Sequence, residues 1–558
     1  MGAMKWWGWG HEDVSFTHED KPDLAPFIRR ALDLDVTRST ARPIAFDELD
    51  VPESDLPGEL RAALEEAADV STDALDRVVH ARGKSLRDLI RHRRGDLGRL
   101  PDVVVRPSSE AAVEAVLRAA LEADAVVIPF GGGTNISGSL EAPPGEERTV
   151  VSVDMGRMDR VLEIDETSRL ARVQAGAFGP ALEEQLNARG WTLGHFPDSF
   201  AHSTLGGWIA TRSSGMQSDK YGDVADLTRA LRVATPTGML ATRPVPTTST
   251  GPSVREMVLG SEGRLGIICE ATVHVHRLPE QRTILGYLFP DWARSLEAMR
   301  EIAESEASPS VTRVSDAYET GFSFATKKGP TPVDRAKSKA LATYLTRRRG
   351  YDLDAMCLAF IGFEGSAKHV AAQRKLVGRI VARHNGICIG QGPGELYDQK
   401  KFDTPYIRDY LLDRGAPADV SETSAPWGAL PALYGNVMAA AQGAFAELGV
   451  PGYIMCHLSH SYHAGACLYF TFAFKPSGVR DVLDEYDTVK RAIQQTFVDS
   501  GATLSHHHAV GTEHAAWLEQ DISAPGAAML RALFDGVDPG ANLNPGKIVP
   551  SPRHVLEP

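Results

Sequence analysis

Three consecutive glycines set directly behind a buried strand constrain this chain more than anything else in it. Ala125-Val-Val-Ile-Pro-Phe130 is apolar and β-branched, and Gly131-Gly-Gly-Thr-Asn-Ile-Ser-Gly138 follows without a break. Without Cβ atoms, successive backbone N–H groups can converge into a nest for an anion such as a pyrophosphate. A tight turn is the plainer reading of the same residues. Two familiar phosphate loops are excluded. Ile136 stands where the last glycine of G-x-G-x-x-G belongs, and no Gly-Lys-Ser/Thr ending follows. Gly540-Ala-Asn-Leu-Asn-Pro-Gly-Lys547 imitates that ending with the wrong spacing, runs into Ile548, and reads as a turn.

Strand and helix signals alternate on both sides of the glycine loop. Asp102–Pro107, Thr149–Val153, Ala171–Ala175, Leu231–Thr235 and Thr272–Val275 are strand-like, and Ser108-Ser-Glu-Ala-Ala-Val opens a capped helix. This predicts an α+β domain over residues 101–280. Residues 1–100 carry helical spacing around Leu60–Ala68 and Ser85–Arg94 and read as a helical N-terminal region. Residues 281–510 form a second α+β unit. Its predicted strands are Arg282–Phe289 and Cys357–Phe363, with a pair, Tyr453–His457 and Ala466–Phe474, around a polar bend. Ser366–Arg383 reads as a helix, and the basic stretch Lys327–Arg349 as a mobile loop or exposed helix. Residues 511–558, with a helix at Ala527–Phe534, are expected to return to the first domain.

A net charge of −14 argues against a nucleic-acid groove as the main function. The five cysteines are scattered without a C-x-x-C pair and read as reduced thiols of a cytoplasmic protein. No apolar run is long enough to cross a bilayer, though peripheral membrane contact is compatible with the sequence. The N-terminus is too short and glycine-rich for a signal peptide, and Val555-Leu-Glu-Pro558 is no peroxisomal address.

Two further segments share the small-residue character of the first loop. Gly194-His-Phe-Pro-Asp-Ser-Phe-Ala-His-Ser-Thr-Leu-Gly-Gly-Trp-Ile-Ala-Thr-Arg-Ser-Ser-Gly215 lets backbone approach a large planar ligand while hydroxyls meet its polar edge. Gly260-Ser-Glu-Gly-Arg-Leu-Gly-Ile-Ile268 is a glycine turn entering a strand. Singly, each is an ordinary loop. In this order and spacing the three resemble the FAD-binding domain of the vanillyl-alcohol oxidase class, over roughly residues 100–280. The resemblance implies a two-subdomain FAD-binding domain of that type, with an α+β substrate cap and the helical N-terminal region. It places the cofactor against Pro129, Gly131, Gly132, Gly133, Thr134, Asn135, Ile136 and Ser137. It adds Pro197, Asp198, Ser199, Ser203 and Thr204, then Gly207, Thr211, Arg212, Ser213 and Ser214 with Tyr221. The last set is Glu262, Gly263, Leu265, Gly266, Ile267 and Ile268. Members that attach flavin covalently often carry a histidine in the first loop. This loop has none, so the FAD is expected to be non-covalent.

The C-terminal half holds Cys456-His-Leu-Ser-His-Ser-Tyr-His-Ala-Gly-Ala-Cys-Leu-Tyr-Phe-Thr-Phe472 and Leu504-Ser-His-His-His-Ala-Val-Gly511. Histidines at this density invite a metal reading, and polar loop histidines are the plainer one. With Met4-Lys-Trp-Trp-Gly-Trp-Gly10 and Ser421-Glu-Thr-Ser-Ala-Pro-Trp427, the two segments look like the alkyldihydroxyacetonephosphate synthase family across nearly the whole chain. The Gly-Asp-Gly-Asn-Leu-His and Gly-Glu-His-Gly segments usual in flavoprotein 2-hydroxyacid dehydrogenases are absent, and no metal is expected. The resemblance implies a non-redox transferase of ether-lipid synthesis, in which the acyl group of acyl-dihydroxyacetone phosphate is exchanged for a fatty alcohol through a flavin N5 adduct. Tyr462 matches the family's catalytic tyrosine. His506, His507 and His508 match its histidine run and are expected to ease the phenol's proton transfer, and His195 matches an active-site histidine. Arg408 matches a substrate-binding arginine and Arg313 a second one. Either arginine also reads as an ion-pair residue, beside Asp409 and Asp316. A small-molecule or lipid phosphate and a fatty alcohol are the expected partners, and a homodimer the expected assembly. An FAD-dependent dehydrogenase of a 2-hydroxy acid or related alcohol is the alternative.

Overall fold

The computed structural model describes residues 4–329 and 331–550. The C-terminal tetrapeptide Val555–Pro558 and the first three residues lie outside them. Val103–Arg106, Val150–Asp154 and Val126–Phe130 pair in parallel, in that spatial order, and Asp69–Ser71 adds an antiparallel edge. Their valines are fully buried, as parallel strands covered on both faces require. Helix Glu110–Glu122 covers one face; its N-terminus is capped by the Ser109 hydroxyl, which accepts from the N–H of Ala112. The glycine loop leaves the C-terminal end of Val126–Phe130, where ligands of open parallel sheets gather.

A second sheet is antiparallel, in the order Val161–Asp165, Leu170–Gln174, Ile267–His274, Thr228–Thr235, Gly238–Ala241. The third has seven strands, in the order Ile387–Gly390, Gln281–Phe289, Cys357–Gly365, Val311–Ser315, Gly452–Ser461, Gly465–Phe474, Ala418–Pro426. Period-two alternation divides its faces. Val314, Ala359, Ile361, Cys456, Leu458, Leu468 and Phe470 join the core under the helices Trp292–Glu304, Ala367–Arg383, Leu430–Leu448 and Val482–Asp499. Arg313, Phe360, Met455, His457, Tyr469 and Thr471 face a cavity instead.

The N-terminal region is less helical than its spacing suggests. Helices Leu24–Leu32, Gly58–Ala67, Ala74–Val79 and Leu86–Arg93 are joined by extended stretches, and Asp69–Ser71 is a strand. Trp6 and Trp9 are buried, and Trp9 N–H donates to the Asp409 carboxylate at 2.7 Å. The basic stretch forms an exposed helix, Pro332–Tyr344, closed by a wide turn at Leu345–Arg349. At the other end of the chain, Val127 donates its N–H to the Asn542 carbonyl and accepts from the N–H of Asn544. The last turn thereby extends the sheet that launches the glycine loop. Among the described residues no helix is long and apolar enough to cross a membrane.

Candidate active site

A cavity of about 1030 Å³ lies between the glycine loop and the seven-stranded sheet. Pro129 and Gly131–Ile136 line it, with Pro197–Ser199, Ser203, Thr204, Gly207, Thr211, Ser213 and Ser214 opposite, and Glu262, Gly263 and Gly266–Ile268 beside them. The loop closes tightly on its neighbour. A Cβ on Gly132 would sit 1.6 Å from the His202 carbonyl oxygen, and one on Gly131 2.3 Å from the Thr204 hydroxyl. Gly133 has φ +66°, which L side chains rarely adopt. A loop pressed this closely on its neighbour, with backbone against Gly132 and a left-handed Gly133, fits a large, closely held ligand bearing an anionic group.

Four residues expected at the cofactor do not reach this wall. Ser137 is buried behind the loop, its carbonyl accepting from Thr512 and Glu513. Arg212 turns outward to Glu256 at 3.2 Å, because its left-handed backbone (φ 52°) ends a helix and swings the side chain to solvent. Tyr221 packs against His276 and beneath Gly194, and Leu265 belongs to the core of the second sheet. Asn544, in the segment read as a turn, lines the cavity instead; its amide donates to the carbonyls of Ser139 and Glu262. Lys547 of that segment is buried and donates to the Glu141 carbonyl.

Tyr462 crowns the hairpin between Gly452–Ser461 and Gly465–Phe474. Its hydroxyl lies 2.9 Å from Asp223 Oδ2, to which it donates, and 2.6 Å from His506 Nε2. His506 Nδ1 lies 2.9 Å from His507 Nδ1, and His507 lines the cavity. Tyr462 and His506 thus stand behind the wall and reach it through His507. An imidazole, His506, stands against the phenol, the neighbour that a proton-transfer role asks of the histidine run. Burial pushes the Tyr462 phenol far above its ordinary value, and the Asp223 carboxylate pushes it further. With its one proton given to Asp223, the neutral phenol accepts at its oxygen from His506 Nε2–H, an arrangement suited to passing a proton rather than to storing a negative charge.

The histidine run owes its shape to Glu422, buried on Ala418–Pro426. Its carboxylate accepts from the N–H groups of His506, His507 and His508 at 2.7, 3.1 and 3.0 Å, and from the Ser505 hydroxyl at 2.7 Å. Burial opposes its charge, yet the histidines and these N–H donors hold it well below the usual carboxylate range. Burial meanwhile holds His507 and His508 below the ordinary imidazole value, against the pull of the same carboxylate. His195 does not line the cavity. It is enclosed against Trp208 with Nε2 3.2 Å from the Ser213 hydroxyl, and burial lowers it to about 4.

Burial also lowers His92 to about 3 and His202, His276, His460 and His514 to about 4. Such groups bind protons only after unfolding, so their stabilisation is complete above the unfolded value of ~6.5 and is lost as pH falls through ~4. Asp88, Asp219 and Asp316, raised by burial to about 6, 7 and 7, act in the opposite sense over the same range. The histidines outnumber them. The midpoint of thermal unfolding, followed by circular dichroism, is therefore expected to fall by at least several degrees between pH 7 and pH 4.5.

Neither arginine pairs with the acid beside it in sequence. Arg313 donates to Glu319 Oε1 at 2.7 Å, and His457 Nδ1 lies 2.7 Å from the other oxygen of that carboxylate. Arg408 donates one bond, to the Lys84 carbonyl at 2.7 Å, while its buried Nε and Nη2 have no partner in the protein. Lys84 N–H in turn donates to Asn135 of the glycine loop. Arg408 therefore offers unused donors to the cavity within two contacts of that loop. Glu319 and Asp223 carry no signal in sequence, and His457 and Glu422, though in segments singled out there, carry none of their roles, since these partnerships join distant strands and loops.

A glycine-walled nest at the end of a parallel sheet, with a capped cavity above it, defines an FAD-linked enzyme. The family described as "FAD binding domain" matches residues 101–242, and "FAD linked oxidases, C-terminal domain" matches 278–548. The alkyldihydroxyacetonephosphate synthase of Dictyostelium discoideum is 38% identical, over 98% of this chain and 94% of its own length. A solved structure of an alkyldihydroxyacetonephosphate synthase superposes with TM-score 0.84 at 36% identity, covering 97% of this chain and 98% of that one. 4-Ethylphenol oxidase from Gulosibacter chungangensis, 15% identical, shares the fold at TM-score 0.66, over 90% of this chain and 99% of its own. The chain belongs to the alkyldihydroxyacetonephosphate synthase family.

Proposed function

We propose that the chain exchanges the acyl group of an acyl-dihydroxyacetone phosphate for a fatty alcohol, releasing the fatty acid. The observation that carries this reading is the composition of the cavity. The glycine loop shares its lining with apolar side chains, Phe27, Ile28 and Leu32 of Leu24–Leu32, Phe322, Leu411 and Phe472, which we take as an apolar arm for an aliphatic chain. One space therefore offers a nest for the pyrophosphate, an arginine with free donors, and an apolar channel. A small hydroxy acid would leave that channel empty.

Pro129, Gly131–Ile136 and the segments around Ser199–Thr204 and Glu262–Ile268 would hold FAD. When bound, it would supply an electron-rich ring nitrogen to activate the substrate carbon from which the acid leaves and to which the alcohol adds. Arg408 is the candidate for the substrate phosphate, since two parallel N–H donors suit a phosphate better than an ammonium does. The apolar arm takes the aliphatic chain and excludes water. Asp223, Tyr462, His506 and His507 form the proton relay. A proton from the reacting carbon enters at the cavity end, and the neutral phenol passes one on as it receives one. Arg313, fixed by Glu319 and His457, orients the polar end.

The test is exchange by the purified, FAD-loaded protein. Given acyl-dihydroxyacetone phosphate and a long-chain alcohol, it is expected to release labelled fatty acid with no net reduction of the flavin. Flavin bleaching by a 2-hydroxy acid under anaerobic conditions, without exchange, would replace this reading with the dehydrogenase alternative.

A further inference from the structure

At the cavity wall four side chains of metal-ligand type converge, His460 and His507 in its lining and Cys467 and His506 behind it. His460 and Cys467 face one another across the base of the Tyr462 hairpin, and His506 and His507 descend on them from the loop. One nitrogen or sulfur atom from each lies within 4.8 Å of all the others. The ring centres of His460, His506 and His507 are 5.2, 5.3 and 5.1 Å apart. An imidazole bound to zinc at ~2.0–2.1 Å has its ring centre roughly 3.2 Å from the metal, so two at the tetrahedral angle have centres roughly 5.2 Å apart. The three rings already stand as three corners of such a site. His506 Nδ1 and His507 Nδ1 face each other at 2.9 Å, a contact that needs a proton or a cation between them. The Glu422 carboxylate, 3.4 Å from His507 Nδ1 and 3.8 Å from Cys467 Sγ, supplies a negative charge behind them.

We propose that His460, Cys467, His506 and His507 bind zinc(II), and that zinc bound there switches the proton relay off. Three imidazoles and one thiolate are a ligand set for zinc rather than for magnesium or calcium. On binding, Cys467 releases its proton and His460 exchanges one present contact, Ser459 Oγ at 2.8 Å or the Gly215 carbonyl at 3.0 Å, for the ion. With the metal on Nδ1 of His506, the ring's remaining proton sits on Nε2 against the Tyr462 hydroxyl. The ion takes the place of the proton shared by His506 Nδ1 and His507 Nδ1, and the relay is cut between the two rings. The binding site stands apart from the exchange reading; only the inhibition rests on it.

The FAD-loaded full chain is titrated with zinc by calorimetry, and with cobalt(II) as a spectroscopic probe. The expected result is one zinc per chain, exchange activity lost on binding and restored by a chelator, and tetrahedral cobalt bands at longer wavelength than the flavin. Cys467→Ser, checked for folding by thermal melt, is expected to keep exchange activity in metal-free buffer. It should also weaken zinc binding at least roughly tenfold and abolish the cobalt bands. Absence of stoichiometric binding, or equal binding by Cys467→Ser, overturns the site. Zinc bound with exchange unchanged overturns the switch. Because binding is read by heat and colour, a chain inactive in exchange still tests the site.

Discussion

Replacing Tyr462 with phenylalanine is expected to lower the rate of exchange by roughly 10²–10⁴-fold while leaving the protein yellow. The magnitude is what a positioned proton-transfer group contributes. The separation of the two effects follows from position. Tyr462 does not line the cavity, so FAD loses no contact when the hydroxyl goes. The hydroxyl does hold the middle of the relay, 2.9 Å from Asp223 and 2.6 Å from His506. Phenylalanine leaves the hairpin's main-chain pairing in place and removes the one oxygen that joins those two groups. The loss should fall on kcat, with KM for the acyl substrate little changed. A Tyr462→Phe variant exchanging at the parent rate would remove the phenol from the mechanism.

Gly132→Ala is expected to yield a folded protein without flavin. Its Cβ would meet the His202 carbonyl oxygen at 1.6 Å and Ser203 Cα at 3.0 Å, both backbone atoms that cannot rotate aside. Either the glycine loop or the segment His202–Thr204 must move, and both bound the space for the pyrophosphate. Gly131→Ala should be milder, because its Cβ meets chiefly the Thr204 hydroxyl, which can turn to another rotamer. Gly58→Ala meets nothing within 4 Å and serves as the neutral control. Absorbance of the purified variants, with far-ultraviolet circular dichroism to show folding, ranks the three. Full flavin content in the Gly132→Ala variant would remove the loop from the cofactor site.

Local pattern carried much of this molecule. The β-branched run before the glycines, the paired strands around Tyr462 and the helix following Ser366 were legible because each depends on neighbours within a few residues. The N-terminal region was less so. Asp69–Ser71 is a strand because Val103–Arg106 offers it an edge, a reason that lies outside its own segment. The histidine run could be seen, but its electrostatics could not. A string of three imidazoles next to a tyrosine suggests positive charge, and in the fold burial opposes that charge on His507 and His508 while one carboxylate favours it.

By itself the sequence determined the strand-then-glycine nest, the order of the three small-residue segments, and the family to which they belong. Backbone freedom and hydrophobic period are properties of a few consecutive residues. Tertiary structure alone decided that Asp223 meets Tyr462, that Glu422 gathers the histidine loop, that Arg408 keeps two donors free, and that apolar side chains of Leu24–Leu32 line the same cavity as the glycine loop. Those facts are distances and degrees of burial between segments far apart in the chain, and only closure of the sheets and loops around one cavity sets them.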